Sequence, residues 1–206
     1  MNIVIFGATG SVGKHLVALS LKNGNNVTVF SRNKSAFKPS DKLKFISGNV
    51  LELDDVLPAI HGQDVVFCAL GDGRKGKVRA AGTRNIIEAM KISGVHRLIC
   101  QTTLGCGDSR NNLSFFWRYV MFGFLLKKAF NDHELQEKHI FQSGLDWTII
   151  RPGAFTDGPL TKDFSSNFAA SKKDLKLKIS RADLAWFMLT QTAKSEYIQK
   201  AVSVSY

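Results

Sequence analysis

The chain has 206 residues, of which 44% are apolar and 22% charged. These values are close to globular averages, and a chain of this length buries a core without help from disulfides or metal. The net charge of +11 raises nucleic acid as a partner, but the basic residues are scattered. Their densest group, Lys172-Lys173 with Lys176 and Lys178, lacks aromatic interleaving and any helix-turn-helix or zinc pattern. It reads as a solvated face that attracts anionic ligands, and nucleic-acid binding is not expected.

In chain order, strand and helix signals alternate. Met1-Asn2 runs into the apolar stretch Ile3–Phe6, a first strand and not a signal peptide, since no basic region precedes it and glycines follow at once. Ser11–Leu21 is a helix with apolar Val12, Leu16, Val17 and Leu21, and Asn23-Gly24-Asn25 is a turn. Strands are expected at Val27–Phe30 and Lys42–Ser47, a short helix at Asp54–Ile60, and a strand at Asp64–Ala69. A helix at Val78–Ile92 and a strand at Arg97–Gln101 follow. Helix Asn131–Gln142 is stopped by Ser143-Gly144. Strand Trp147–Arg151, helix Arg181–Thr192 and a short strand over Ala201–Tyr206 complete the order.

The inner strands are continuous apolar runs, as in strands buried on both faces of a parallel sheet. Alternation of such strands with helices predicts an α/β Rossmann fold, a doubly wound parallel sheet with helices on both faces, as one domain over residues 1–206. Thr156–Lys178 is polar and irregular and is expected to form a substrate-side loop or small lobe.

The segment Leu113 to Phe130, LSFFWRYVMFGFLLKKAF, is strongly apolar. A membrane span needs about 20 apolar residues with few charges. Here Arg118 lies inside and Lys127-Lys128 near the end, so no membrane span is expected. A buried helix or a hydrophobic lid over a pocket is the reading. Its aromatics Phe115, Phe116, Trp117, Tyr119, Phe122 and Phe124 are expected mostly as core, or as an apolar wall for a flat ring system. The three cysteines, Cys68, Cys100 and Cys106, are odd in number and lack metal spacing. Cys68 and Cys100 read as small buried hydrophobes of a cytoplasmic protein, and no metal site is expected.

The first strand meets the first helix at Gly7-Ala8-Thr9-Gly10-Ser11-Val12-Gly13, with the spacing G-x-x-G-x-x-G. Gly7 lets the chain leave the strand sharply, Gly10 keeps side-chain atoms away from a pyrophosphate, and Gly13 lets the helix pack tightly on the sheet. Thr9, Ser11 and Val12 then belong to a helix N-terminus that offers N–H groups to phosphates. At the end of the second strand a site for NAD places an acid on the ribose 2′-hydroxyl. This chain has Ser31-Arg32-Asn33-Lys34 instead. Arg32 suits a 2′-phosphate by charge and by its planar fork, with Ser31, Lys34 or Lys38 in support, so NADP(H) is the expected cofactor.

GATGSVG, VFSRN, GNV (Gly48-Asn49-Val50), ALG (Ala69-Leu70-Gly71), GTRNIIEAM and SGLDWTIIRPG together resemble the atypical short-chain dehydrogenase/reductase family. Within it, the likeness is to the NmrA-like and biliverdin-IXβ reductase/flavin reductase group. It extends through Asp132-His133, Gly158-Pro159-Leu160-Thr161 and Ser180-Arg181-Ala182-Asp183-Leu184. The resemblance implies Asn49 and Val50 beside the adenine and Leu70-Gly71 on the ribose and pyrophosphate side. It also implies Thr102-Thr103 facing the nicotinamide. Pro152, Gly153, Ala154 and Phe155 would hold its carboxamide end by backbone groups.

The family's Tyr-x-x-x-Lys pair is missing: Tyr119 has Gly123 four residues on, and in the family register Ala129 and His133 stand where Tyr and Lys would be. Thr103 stands where the family has Ser, and His133 is a candidate to bind ribose or relay a proton. A carbonyl or alcohol interconversion needs a protein acid at the oxygen. Reduction of a conjugated acceptor asks mainly for positioning. The expected activity is therefore NADPH-dependent hydride transfer to an aromatic or conjugated small molecule, a flavin, bilin or quinone-like ring. The alternative is an NmrA-like redox sensor without turnover, and the positive charge leaves open an RNA-associated or assembly role on the same scaffold. The biliverdin-IXβ reductase pattern has His where this chain has Ala154, and it differs over Gly105 to Leu113, so substrate identity is not carried over.

Overall fold

The apolar runs become the inner strands of an eight-stranded sheet. A computed structural model describes residues 1–32, 37, 40–169, 172 and 174–206; Asn33, Lys34, Lys38 and Lys173, invoked above, lie outside the described residues. The first half runs β1 (Asn2–Phe6), α1 (Gly13–Lys22), β2 (Asn26–Ser31), β3 (Leu43–Ser47), α2 (Leu53–Ile60), β4 (Val65–Cys68), α3 (Arg79–Ser93) and β5 (Arg97–Gln101). The second half runs α4 (Lys127–Phe141), β6 (Asp146–Pro152), β7 (Ala154–Thr156), β8 (Ser165–Ser166), β9 (Lys178–Ser180), α5 (Arg181–Thr190) and β10 (Lys200–Ser205).

The large sheet has the order β3-β2-β1-β4-β5-β6-β10-β8. Every pair in it is parallel except β10 with the two-residue edge strand β8. This is the doubly wound Rossmann order, extended by β10, with its topological switch point between β1 and β4. Side chains alternate between the faces of each strand, so β1 sends Ile3 and Ile5 into one apolar cluster and Val4 and Phe6 into the other. The first cluster lies under α1 and α5, the second under α2, α3 and α4.

Helix α4 docks differently from the others. Besides apolar Phe130 and Ile140, it buries Asp132, Gln136 and Glu137. Asp132 accepts from the backbone N–H groups of Arg79 (3.1 Å) and Ala80 (3.0 Å). It thus caps α3, which has no side-chain cap of its own. Glu137 receives Arg151 of β6 in a fork, Nε to Oε1 at 2.9 Å and Nη2 to Oε2 at 2.7 Å. Both side chains are buried. Thr102 donates to the same Oε1 at 2.7 Å, and Arg151 Nη1 reaches exposed Asp108. Burial would lower the pKa of Arg151, but Glu137 and then Asp108 outweigh it and hold the group above its ordinary value.

Two expectations are corrected. Leu113–Phe130 is not a buried helix. A 3-10 turn at Gly107–Asn112 is followed by a π-helical segment, Phe116–Leu125, and α4 begins four residues earlier than expected. Nor are its aromatics mostly core, since Phe115, Phe116, Tyr119 and Phe124 are exposed. The apolar contacts of the segment are taken by Trp117 and Phe122, which pack together and, through Phe122, on Phe130, while the other aromatics stand exposed.

The irregular region 156–178 is bounded by the small β7–β9 sheet. It is tied down by Asp183 at the start of α5, which accepts from Thr161 N–H and Oγ1, Lys162 N–H, Ser180 Oγ and the Tyr206 hydroxyl.

Removing one partner of a buried ion pair leaves the other charge uncompensated. Glu137→Ala is therefore expected to lower unfolding free energy by about 3–5 kcal/mol in urea titrations. The double change Glu137→Met with Arg151→Met recovers most of that loss, because no buried charge remains.

Candidate functional site

Beyond the C-terminal ends of β1 and β4, where the connections part at the switch point, lies a cavity of about 820 Å³. The glycine turn forms its near wall. Gly7 adopts φ +81°, and a Cβ there would stand 2.2 Å from the Ala69 carbonyl oxygen. Beneath the turn, a Cβ on Gly13 would stand 2.1 Å from the Gly7 oxygen. Both positions need glycine because chain passes against chain. Gly10 bonds its N–H to the Gly7 oxygen at 2.9 Å and sits exposed at the rim with Thr9 and Ser11. No side chain caps α1, and Lys14 N–H donates back to the Gly10 oxygen at 3.0 Å, so the helix begins at the turn with its positive dipole end toward the rim. Such a cradle fits a pyrophosphate, which needs close backbone approach and N–H donors.

The structure brings nearly the whole expected set to this cavity. Gly7, Thr9, Gly10, Ser11 and Val12 line one end, with Arg32 just past β2 and Asn49 and Val50 after β3. Leu70 and Gly71 after β4, Thr102 and Thr103 after β5, and Pro152, Gly153, Ala154 and Phe155 from β6 and β7 continue the wall, and His133 closes it from α4. Gly13 alone of the set lies behind the turn. Ser31 also lines the cavity, and no carboxylate forms an ion pair with Arg32 among the described residues.

Several roles change on inspection. Gly153 donates its N–H to Val204 (3.0 Å) and Ala154 to Leu177 (2.8 Å), so neither amide is available to a carboxamide. Ala154 pairs with β9, and its neighbour Phe155 therefore directs its own N–H and C=O away from β9. Thr102 spends its hydroxyl on Glu137, whereas the partly buried Thr103 has only a weak 3.4 Å bond to the Leu104 oxygen.

His133 is held as a neutral base. Its Nδ1 lies 3.2 Å from Gln136 Oε1, while Gln136 Nε2 donates to Thr83 Oγ1 at 2.9 Å and to Cys100 Sγ at 3.3 Å. With the amide oxygen turned to the ring, Nδ1 carries the proton and Nε2 keeps its lone pair. Burial, and then the Arg79 charge, lower its pKa to about 3, against the opposing pull of Gln136 and Asp72. A relay that passes through the imidazolium near neutral pH therefore has no basis here. Cys68 and Cys100 are buried opposite each other on β4 and β5, free, and serve as partners for Gln136.

The sequence reading missed the basic flank. Lys75 and Lys77 line the cavity on the β4–α3 loop, and Arg79 does so while paired with Asp72 at 2.6 Å. The run RKGKVR was a visible signal. The far wall is made by Trp117 and Phe122 of the π-helical segment, two of the aromatics considered as an apolar wall, with Leu113 and Leu126 flanking it.

Among the described residues no group of His, Cys, Asp and Glu is placed to hold a metal, and no helix is long and apolar enough to cross a membrane.

The chain is similar to an uncharacterized chloroplastic protein of Arabidopsis thaliana, 30% identical over 178 residues. That match covers 78% of this chain and 61% of the relative, so the chain spans less than two thirds of its length. In structure it is similar to ChuY, an anaerobilin reductase of Escherichia coli O157:H7, with TM-score 0.82 and 25% identity over 99% of this chain and 96% of that one. A short-chain dehydrogenase/reductase of Veillonella parvula in complex with NADP shares the fold at TM-score 0.84 and 17% identity, covering 100% of this chain and 94% of that one. The NAD(P)H-binding family model matches residues 7–195, from the first glycine of the turn to beyond α5. The chain belongs to the NAD(P)H-binding family.

Proposed function

We propose that residues 1–206 form one NADP(H)-binding domain that transfers hydride to a conjugated ring acceptor, such as a flavin, a bilin or a quinone-like compound, in the cytoplasm. The observation that carries this reading is the composition of the cavity at the switch point. One end is a glycine cradle with Arg32, and the other is walled by Trp117, Phe122, Leu113 and Leu126. The first end suits a phosphorylated dinucleotide and the second a flat apolar ring. Arg32 supports NADP(H) over NAD(H), because a guanidinium fork matches a 2′-phosphate and no acid stands there to accept from a 2′-hydroxyl.

When bound, the reduced nicotinamide supplies a hydride. The protein's own part is to bind, orient and exclude water. His133 Nε2 offers a hydrogen-bond acceptor to a ribose or acceptor hydroxyl, and Thr103 offers a hydroxyl donor. Neither is a strong acid at neutral pH. The acceptor's proton then comes from solvent or from its own ring groups, which suits flavins and bilins better than simple carbonyls. The free, buried cysteines fit a reducing cytoplasm.

Purified protein is expected to oxidise NADPH, followed at its absorbance band, only when FMN, a bilin or a quinone is added. Binding of NADPH without oxidation by any acceptor in such a panel would assign the sensor role instead. Arg32→Asp should weaken NADPH binding by about 10- to 100-fold, the worth of a charge-assisted fork, while NADH titrations stay nearly unchanged. Equal losses for both cofactors would remove Arg32 from the 2′-phosphate site.

His133 also gives the fold an acid-sensitive term. Its native pKa of about 3 lies below the ordinary value of about 6.5, so between these limits the unfolded chain binds one more proton. Stability from this group is complete above pH 6.5 and falls as pH drops, by about 1.4 kcal/mol per pH unit. In urea titrations between pH 6 and 4.5, His133→Asn should show a shallower decline by about that slope.

A further inference from the structure

We propose that the π-helical segment docks the protein on an anionic lipid surface, with the cavity behind it drawing its acceptor from the lipid. The segment has two faces with different work. Trp117 and Phe122 turn inward to the cavity. Phe115, Phe116, Tyr119, Val120, Phe124 and Leu125 turn outward, with Phe115 75% and Phe124 79% exposed. Single exposed apolar residues are ordinary, but a contiguous group of six within eleven residues marks an interaction surface.

Charge names the occupant. Arg110, Lys127 and Lys128 flank the apolar stretch in the chain and are exposed, and half-buried Arg118 lies within it, bonded to the Arg110 oxygen. The only acid from residue 107 to 128 is Asp108, which is drawn to Arg151. Among the described residues none of these four cations forms an ion pair. Exposed aromatics framed by lysine and arginine are the composition of an interfacial, membrane-lying element. A second copy of this chain is a poor occupant, because a two-fold contact would set the same cations against each other. The chain's +11 net charge favours the same negatively charged surface at longer range. No helix among the described residues is long and apolar enough to span, so the segment would lie on the bilayer and not through it.

The second half of the proposal rests on the oxidoreductase reading: the element that would dip into the headgroups also walls the apolar end of the cavity, so a lipid-soluble quinone-like ring is the acceptor class that fits. The test is co-sedimentation of the full chain with vesicles of phosphatidylcholine alone and of phosphatidylcholine mixed with phosphatidylglycerol. Binding is expected only to the anionic vesicles. Phe115→Ser with Phe124→Ser should weaken it by at least about tenfold. Lys127→Glu with Lys128→Glu should weaken it by about 30-fold. All four side chains are exposed, so folding should not confound the result. No binding to anionic vesicles would overturn the proposal. So would binding that the phenylalanine changes leave intact, which is attraction by bulk charge alone, or a dimer in sedimentation that those changes dissolve. Sedimentation needs neither NADPH nor acceptor, so failure of the redox reading would leave it standing. With a long-chain benzoquinone in the vesicles, NADPH oxidation should be faster on anionic than on neutral ones; equal rates would remove delivery from lipid.

Discussion

The fork between Arg151 and Glu137 is the contact on which the site's geometry rests. It locks α4 to β6 below the sheet surface, and α4 carries four consecutive duties on one face. Asp132 finishes α3, His133 faces the cavity, Gln136 sets the imidazole, and Glu137 holds both Arg151 and Thr102. A helix docked by apolar packing alone can slide by a fraction of a turn at small cost. One docked through directional hydrogen bonds to buried groups has a single register, because every unmatched donor would be left without water or partner.

The chemistry follows from that register. On this helix the chain has Ala129, a single methyl, and His133, held neutral. The cavity presents acceptors and weak donors beside His133 and Thr103, and cations along its flank at Arg32, Lys75, Lys77 and the Asp72-paired Arg79. This distribution fits the binding of an anionic cofactor with a reaction that asks little proton transfer of the protein.

How far the sequence could be read divides along the same line. Strands and glycines were legible because their signals are local. An apolar run such as Val27–Phe30 can only be buried, and Gly7 and Gly13 occupy positions where a Cβ has no room. The cavity wall was legible through motif order, which brought Asn49, Leu70, Thr103 and His133 together correctly. What remained hidden was set by contacts far apart in the chain. Nothing in the residues around Gly153 and Ala154 says that their amides are already bonded to Val204 and Leu177. The pKa of His133 depends on Gln136 and on Arg79 from another helix. The outward aromatics of Phe116–Leu125 misled for a further reason: hydrophobicity usually predicts burial, and here the apolar surface exceeds what the fold can cover.

Asp183 has a practical side. The final residue, Tyr206, is knitted into the substrate-side loop. Its hydroxyl reaches Asp183 and accepts from Ser180 N–H, its amide donates to Lys178, and its carbonyl receives Lys176. Leu177, in the middle of that knot, lines the cavity. A substitution such as Tyr206→Phe would thus loosen the segment that carries Leu177 to the cavity, although Tyr206 itself lines no part of it.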